Sequence, residues 1–193
     1  MYTKKDLTAI ILAGGKSTRM KQDKGLTYLQ DTMLVEAVLE KVKKISSTIL
    51  LITAHPGYLQ FGFPCIADVY SNKGPLAAIY AGLLHSKTSL NLVMACDTPF
   101  VSEHLLNGLL DAYSNEDVLY SEHLGKPEPL CAIYNKSCAN HLKNRIEADV
   151  LKITDAIQGL QIRPISFDTE PWFTAHEFAN INTPEEILKY KKI

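Results

Sequence analysis

The 193-residue sequence has no long apolar run. Its first apolar stretch follows the polar residues 1–6 and breaks at Gly14, too short for a membrane span or for a secretory core with its cleavage site. No membrane association is expected, and the cytoplasm is the expected compartment. An excess of one charge is missing too. Lys and Arg number 20 against 21 Asp and Glu, and a formal net charge of -1 gives no global attraction for nucleic acid or an anionic membrane. Any anion site has to be local. Material for a zinc or disulfide framework is scarce: Cys65, Cys96, Cys131 and Cys138 lie far apart with no C-x-x-C pair, and three of them stand among apolar residues, as buried free thiols do. None of the 6 histidines is paired at a metal spacing. Internal repeats and low-complexity linkers are absent as well.

What is present is enough apolar material, 46% of residues, for one sizeable core, so a single domain over residues 1–193 is expected. Residues 8–13 form a continuous apolar run ending in glycines. Residues 49–54 and 90–96 repeat the pattern, each short enough for a strand buried on both faces. Helical spacing lies between them: Leu34, Val38 and Val42 recur every fourth residue, as do Ile79 and Leu83, while Leu105, Leu106, Leu109 and Leu110 make a further face. This alternation predicts the α/β class, with a three-layer, doubly wound, mostly parallel sheet. Ligands of such sheets bind beyond the carboxyl ends of the strands, which puts the loops starting near Gly14, Thr53 and Asp97 on one rim. Residues 117–121 and 130–134 read as two more strands separated by the turn-rich residues 125–129. Thr183, Pro184 and Glu186 form an N-cap, an N1 proline and a capping box, starting a last helix that reaches to about Tyr190.

The most informative stretch is residues 12–24, directly after the first apolar run. The paired Gly14 and Gly15 let the backbone approach a ligand so that main-chain amides can point at phosphate oxygens. Lys16, Arg19, Lys21 and Lys24 concentrate cations in a chain that is neutral overall. Charge-assisted hydrogen bonds contribute roughly 1.5 to 3 kcal/mol each, so several are needed to offset the freedom lost on binding, roughly 4 to 15 kcal/mol. A triphosphate can use that many. Gly15-Lys16-Ser17-Thr18 imitates the end of a Walker A loop, but Ile10 stands where its first glycine is needed. A dinucleotide fingerprint fails too, because Ser17 and Met20, or Lys16 and Arg19, occupy its glycine positions. A plain strand-to-helix turn with a solvated cationic face is the alternative.

The run at residues 90–96 delivers Asp97 to the same rim. Magnesium prefers one or two carboxylates together with phosphate oxygens and water, so Asp97 suits that metal. The competing reading is an Asp that caps the helix after Pro99.

Leu12-Ala13-Gly14-Gly15-Lys16-Ser17-Thr18-Arg19-Met20, Asp23-Lys24, Gly74-Pro75-Leu76, Cys96-Asp97-Thr98-Pro99 and Asn180-Ile181-Asn182-Thr183-Pro184-Glu185-Glu186 together resemble the molybdenum cofactor guanylyltransferases, the MobA family, in the family's order over residues 8–188. The resemblance implies a Rossmann-like nucleotidyltransferase fold, with a nucleotide-binding half over about residues 1–100 and an acceptor-binding half over about 101–193. It also implies transfer of GMP from GTP to molybdenum-molybdopterin with Mg2+, yielding the guanine dinucleotide cofactor and pyrophosphate. It implies backbone contacts to the nucleotide at Leu12, Ala13, Gly14 and Gly15, phosphate contacts at Arg19 and Lys24, and Mg2+ on Asp97. Guanine contacts fall on Thr53 and Asp68, with Gly74 and Pro75 walling the base. A carboxylate such as Asp68 can accept from the guanine donors, which adenine does not present in that pattern. Asn182 is expected beside Asp97, and Asn180 and Lys126 join it as residues that support the metal or meet the acceptor. The sequence departs from the family at Lys21, where glycine is usual, and at Thr53, where asparagine is frequent. Molybdoenzymes or their chaperones are the expected protein partners. Rival readings are a molybdopterin cytidylyltransferase, a sugar-phosphate nucleotidyltransferase, and a non-catalytic nucleotide-binding regulator.

Overall fold

The structure, a computed structural model, describes residues 3–14 and 23–190. Among these, the strands are β1 (Leu7–Leu12), β2 (Tyr28–Leu29), β3 (Thr32–Met33), β4 (Thr48–Ile52), β5 (Cys65–Ile66), β6 (Leu90–Ala95), β7 (Val118–His123), β8 (Lys126–Asn135) and β9 (Ile162–Ser166). The helices are α1 (Leu34–Ile45), α2 (Gly74–His85), α3 (Glu103–Ala112), α4 (Ala139–Glu147), α5 (Ile153–Ala156) and α6 (Pro184–Tyr190).

Each long apolar run is a strand because both of its faces are covered. Along β1, Leu7, Ala9 and Ile11 enter a core shared with Val35, Val38 and Leu105, whereas Ile10 and Leu12 enter a second core shared with Leu76, Ile79 and Leu142. Successive side chains of a strand point to opposite faces, so two buried faces require an unbroken apolar sequence. The result is three layers: α1 and α3, the sheet, then α2 with α4 and α5. The expected fold class is the observed one.

The main sheet runs β5-β4-β1-β6-β8-β7-β9. β5, β4, β1 and β6 are parallel, β8 is antiparallel to both β6 and β7, and β9 returns parallel to β7. The expected turn at residues 125–129 is shorter than its composition suggests. Only Leu124 and Gly125 turn, both with positive φ (49° and 72°), and Lys126 already pairs with His123. That is the two-residue hairpin geometry matching strand twist. Pro127 pairs in register with Glu122, whereas Pro129 is absorbed by a register shift. Tyr120 faces Ala132 while Ser121 faces Glu128, so residues 129–131 bulge from the β7 ladder and Pro129 leaves no hydrogen bond unmade there.

Candidate active site

Parallel register brings the carboxyl ends of β1 and β6 together. The Cys96 N–H donates to the Leu12 carbonyl at 3.1 Å, and the Ala13 N–H donates to the Ile52 carbonyl at 3.1 Å. Beyond this seam lies a cavity of about 670 Å3. Its lining includes Leu12, Ala13 and Gly14 from the end of β1, Asp23, Lys24 and Asp97, and Asp68, Asn72, Gly74 and Pro75 from the segment that leads into α2.

One part of the cavity lining is built around Lys24. Its ammonium donates to Asp97 Oδ2 at 2.7 Å and to Asn182 Oδ1, with the Lys24 and Asp97 side chains 26% and 15% exposed. At that degree of exposure the pair is screened less than one on the open surface. The helix-capping role for Asp97 falls away, because Ser102 caps α3, accepting from the Leu105 N–H at 3.2 Å. Asn182 is delivered by the polypeptide beyond residue 180. The Ile181 N–H donates to the Asp97 carbonyl at 3.0 Å, and the predicted capping box forms, Thr183 Oγ1 accepting from the Glu186 N–H at 3.2 Å and Glu186 Oε2 from the Thr183 N–H at 3.0 Å.

Sequence reasoning missed what holds Lys24 there. The Asp23 carboxylate accepts from the Gly25 N–H at 3.1 Å and from the hydroxyl of the fully buried Tyr58. Burial pushes the Tyr58 hydroxyl far above its ordinary range, the neighbouring Cys96 and Asp23 adding to the effect, so it remains a donor. A Cβ at Gly25 would stand 2.2 Å from Tyr58 Oη and 2.9 Å from Cys96 Sγ, so only glycine fits. The one sequence signal was Asp23 two residues before Gly25, the spacing of an Asx turn. Nothing in the sequence pointed to Tyr58.

On the opposite side, Asp68 follows β5 in residues 67–73, a segment tied down by Tyr70 Oη to Glu147 Oε1 at 2.9 Å and Lys73 Nζ to Asp149 Oδ1 at 2.8 Å. Gly74 opens α2 at φ 69°, a left-handed conformation that disfavours other residues. Asp68 faces the cavity without a hydrogen-bond partner among the described residues, and partial loss of water pushes its carboxyl above the usual carboxylate range.

The cavity thus gathers Leu12, Ala13, Gly14, Lys24, Asp68, Gly74, Pro75 and Asp97, with Asn182 on Lys24. Three expected site residues lie elsewhere. Thr53 is buried just past β4, its hydroxyl accepting from the His55 N–H at 3.1 Å, and it is not among the described residues lining the cavity. Lys126 is exposed beside the hairpin turn. Asn180 lines a separate cleft of about 150 Å3. Gly15 and Arg19, with Lys16 and Lys21, lie outside the described residues.

Among the described residues, no three His, Cys, Asp or Glu gather around a point that could hold a metal. Asp97 and Asn182 nevertheless direct two hard oxygens at one cation, here the Lys24 ammonium. That donor set fits Mg2+, which takes few protein ligands and completes its shell with water and phosphate oxygens.

No described helix is long and apolar enough to cross a membrane. Residues 9–159 match the family model for the MobA-like NTP transferase domain. A probable molybdenum cofactor guanylyltransferase of Flavobacterium johnsoniae is 36% identical over 184 residues, covering 94% of each chain. The molybdenum cofactor guanylyltransferase of Vibrio vulnificus is 31% identical over 95% of this chain and 94% of its own. Among solved structures, molybdopterin-guanine dinucleotide biosynthesis protein A from Archaeoglobus fulgidus superimposes with a TM-score of 0.79 at 27% identity, over 96% of this chain and 97% of that one. With the sheet, the rim and near full-length likeness in agreement, this chain belongs to the MobA-like NTP transferase family.

Proposed function

We propose that this protein transfers GMP from GTP to molybdenum-molybdopterin, forming the molybdopterin guanine dinucleotide cofactor and pyrophosphate, with Mg2+ as cofactor. The observation that carries the reading is the Lys24–Asp97 pair, 2.7 Å apart, at one end of a cavity whose other end offers the unpartnered Asp68 carboxylate. Asp68 accepts from the guanine N1 and N2 donors, and Gly74 and Pro75 wall the base. Space around Gly14 supports a backbone approach to phosphate. A Cβ there would meet only the Ile52 carbonyl, at 3.5 Å, so the described protein does not itself demand glycine at that position.

An oxygen of the acceptor's terminal phosphate attacks the α-phosphorus of GTP. A new P–O bond forms, the bond to the β-phosphate bridging oxygen breaks, and that oxygen leaves with the electron pair as pyrophosphate. The phosphate is already anionic near neutral pH, so no general base is needed, and catalysis is positioning plus charge neutralisation. Lys24 neutralises charge on the transferring phosphoryl group, with Arg19 in the same role. Mg2+, held by Asp97 and Asn182, supplies Lewis-acid neutralisation when bound. Molybdoenzymes or their chaperones are the proposed recipients of the product.

The test is mass spectrometry of the product formed anaerobically from equal GTP, CTP and UTP with molybdenum-molybdopterin, with and without Mg2+. The guanine dinucleotide, made only with Mg2+, is the expected product. A cytosine product, or transfer unaffected by chelator, rejects the reading.

A further inference from the structure

The cleft of about 150 Å3 is separate from the nucleotide cavity, yet it adjoins it. Leu130 lines both spaces, and Thr98, the residue after Asp97, stands in its wall. Two carboxylates line this cleft. Glu177 is engaged: it is 4% exposed and accepts from the Ser102 N–H at 2.5 Å. Glu128 is not. It is half-buried, the register shift in β8 sets it at the edge of the bulge, and among the described residues it has no hydrogen-bond or ion-pair partner. Burial pushes its carboxyl above the usual range, although His123 and Lys126 pull the other way. An unpartnered acceptor in a partly dry cleft is a costly feature in the empty protein, and a ligand that donates to it removes that cost.

The sheet order makes the arrangement two-ended. Asp68 follows the edge strand β5, Asp97 follows the central β6, and Glu128 lies on β8, across β6 from β1. Two unpartnered carboxylates therefore flank the reacting pair. Guanine carries an amine and an adjacent ring N–H on its pyrimidine ring, and a pterin carries the same pair on the same kind of ring.

Resting on the guanylyl-transfer reading, we propose that Glu128 binds the pterin ring of the acceptor in this cleft, accepting from that amine and N–H as Asp68 does from guanine. The dinucleotide product would then be gripped at both ends by the same chemistry.

Glu128→Gln, Glu128→Ala and Asp68→Asn are compared with the wild type. Anaerobic titrations give the Kd for GTP and for molybdenum-molybdopterin, and GMP transfer at varied acceptor gives KM. Both Glu128 variants should raise the molybdopterin Kd and the acceptor KM roughly tenfold or more. Their GTP Kd should stay at the wild-type value, which also reports an intact fold, and Asp68→Asn should show the reverse pattern. An unchanged molybdopterin Kd in Glu128→Gln and Glu128→Ala overturns the proposal, as does a GTP Kd raised as much as the molybdopterin Kd. A wild type that binds molybdopterin but transfers no GMP overturns the reaction instead, while the Kd comparison still decides on Glu128. Failure of the wild type to bind molybdopterin overturns both.

Discussion

On one side of β6 the sheet runs parallel through β1, β4 and β5, whereas on the other it turns antiparallel at β8 and finishes with β7 and β9. The parallel side places Gly14 and Asp68 past its strand ends, where loops can carry chemistry while the strands keep both faces buried. The β8 side places Glu128 and Leu130 within a strand, at an irregularity of the ladder itself. Chemistry and architecture are separable in the first case and shared in the second.

The sharpest way to break that comparison is Asp97→Ala. Asp97 is beyond the end of β6 and caps no helix, so GMP transfer should fall by about 10^2 to 10^3-fold or more while the melting temperature moves by only a few degrees, read by pyrophosphate release and circular dichroism. A variant that melts early would merge the two kinds of role. Tyr58→Phe comes next. It removes the donor from Asp23 without touching Lys24, and should lower kcat about tenfold with little change in the GTP Kd. A kcat equal to wild type would show that the Gly25 N–H alone holds the turn.

On the β8 side the expected losses are in stability. Burial pushes the Glu116 carboxyl up, but the Ser114 N–H, at 2.9 Å, and the Arg163 guanidinium outweigh it and hold the carboxyl down to about 2. A folded value below the ordinary 4.5 means that this stabilisation is complete above about pH 4.5 and is lost as pH falls toward 2. Glu116→Gln should therefore cost on the order of 2 kcal/mol in urea unfolding at pH 7, with the difference closing near pH 2 and the GTP Kd unchanged. The smallest effect belongs to the hairpin. Leu124 is 75% exposed at φ 49°, so Leu124→Asn should stabilise by about 0.5 to 1 kcal/mol in thermal unfolding and leave transfer untouched.

The parallel side was legible for the same reason that it is separable. Strands buried on both faces must be apolar throughout, so β1, β4 and β6 announce themselves, and glycines or an aspartate at their ends stand out. Asp97 and Gly14 were found in this way, Lys24 from a local cluster of cations, and the capping box from the spacing of Thr183 and Glu186. The β8 side was less so, because Lys126 and Pro127 belong to the vocabulary of turns, and only pairing with β7 makes a strand of them. Thr53 follows β4 at its carboxyl end, as the rim rule places it, but that rule does not say where a side chain points, and the Thr53 hydroxyl meets the His55 N–H.

Hydrophobic spacing and local turn chemistry were thus enough to determine an α/β sheet, Gly14 at the end of β1 and the acid at the end of β6, since each is a property of consecutive residues. Which acids meet was decided only in three dimensions. Tyr58 reaching Asp23, Asn182 reaching Lys24, and Asp68 and Glu128 standing on either side of Asp97 join residues dozens of positions apart, through a strand order that local pattern does not encode.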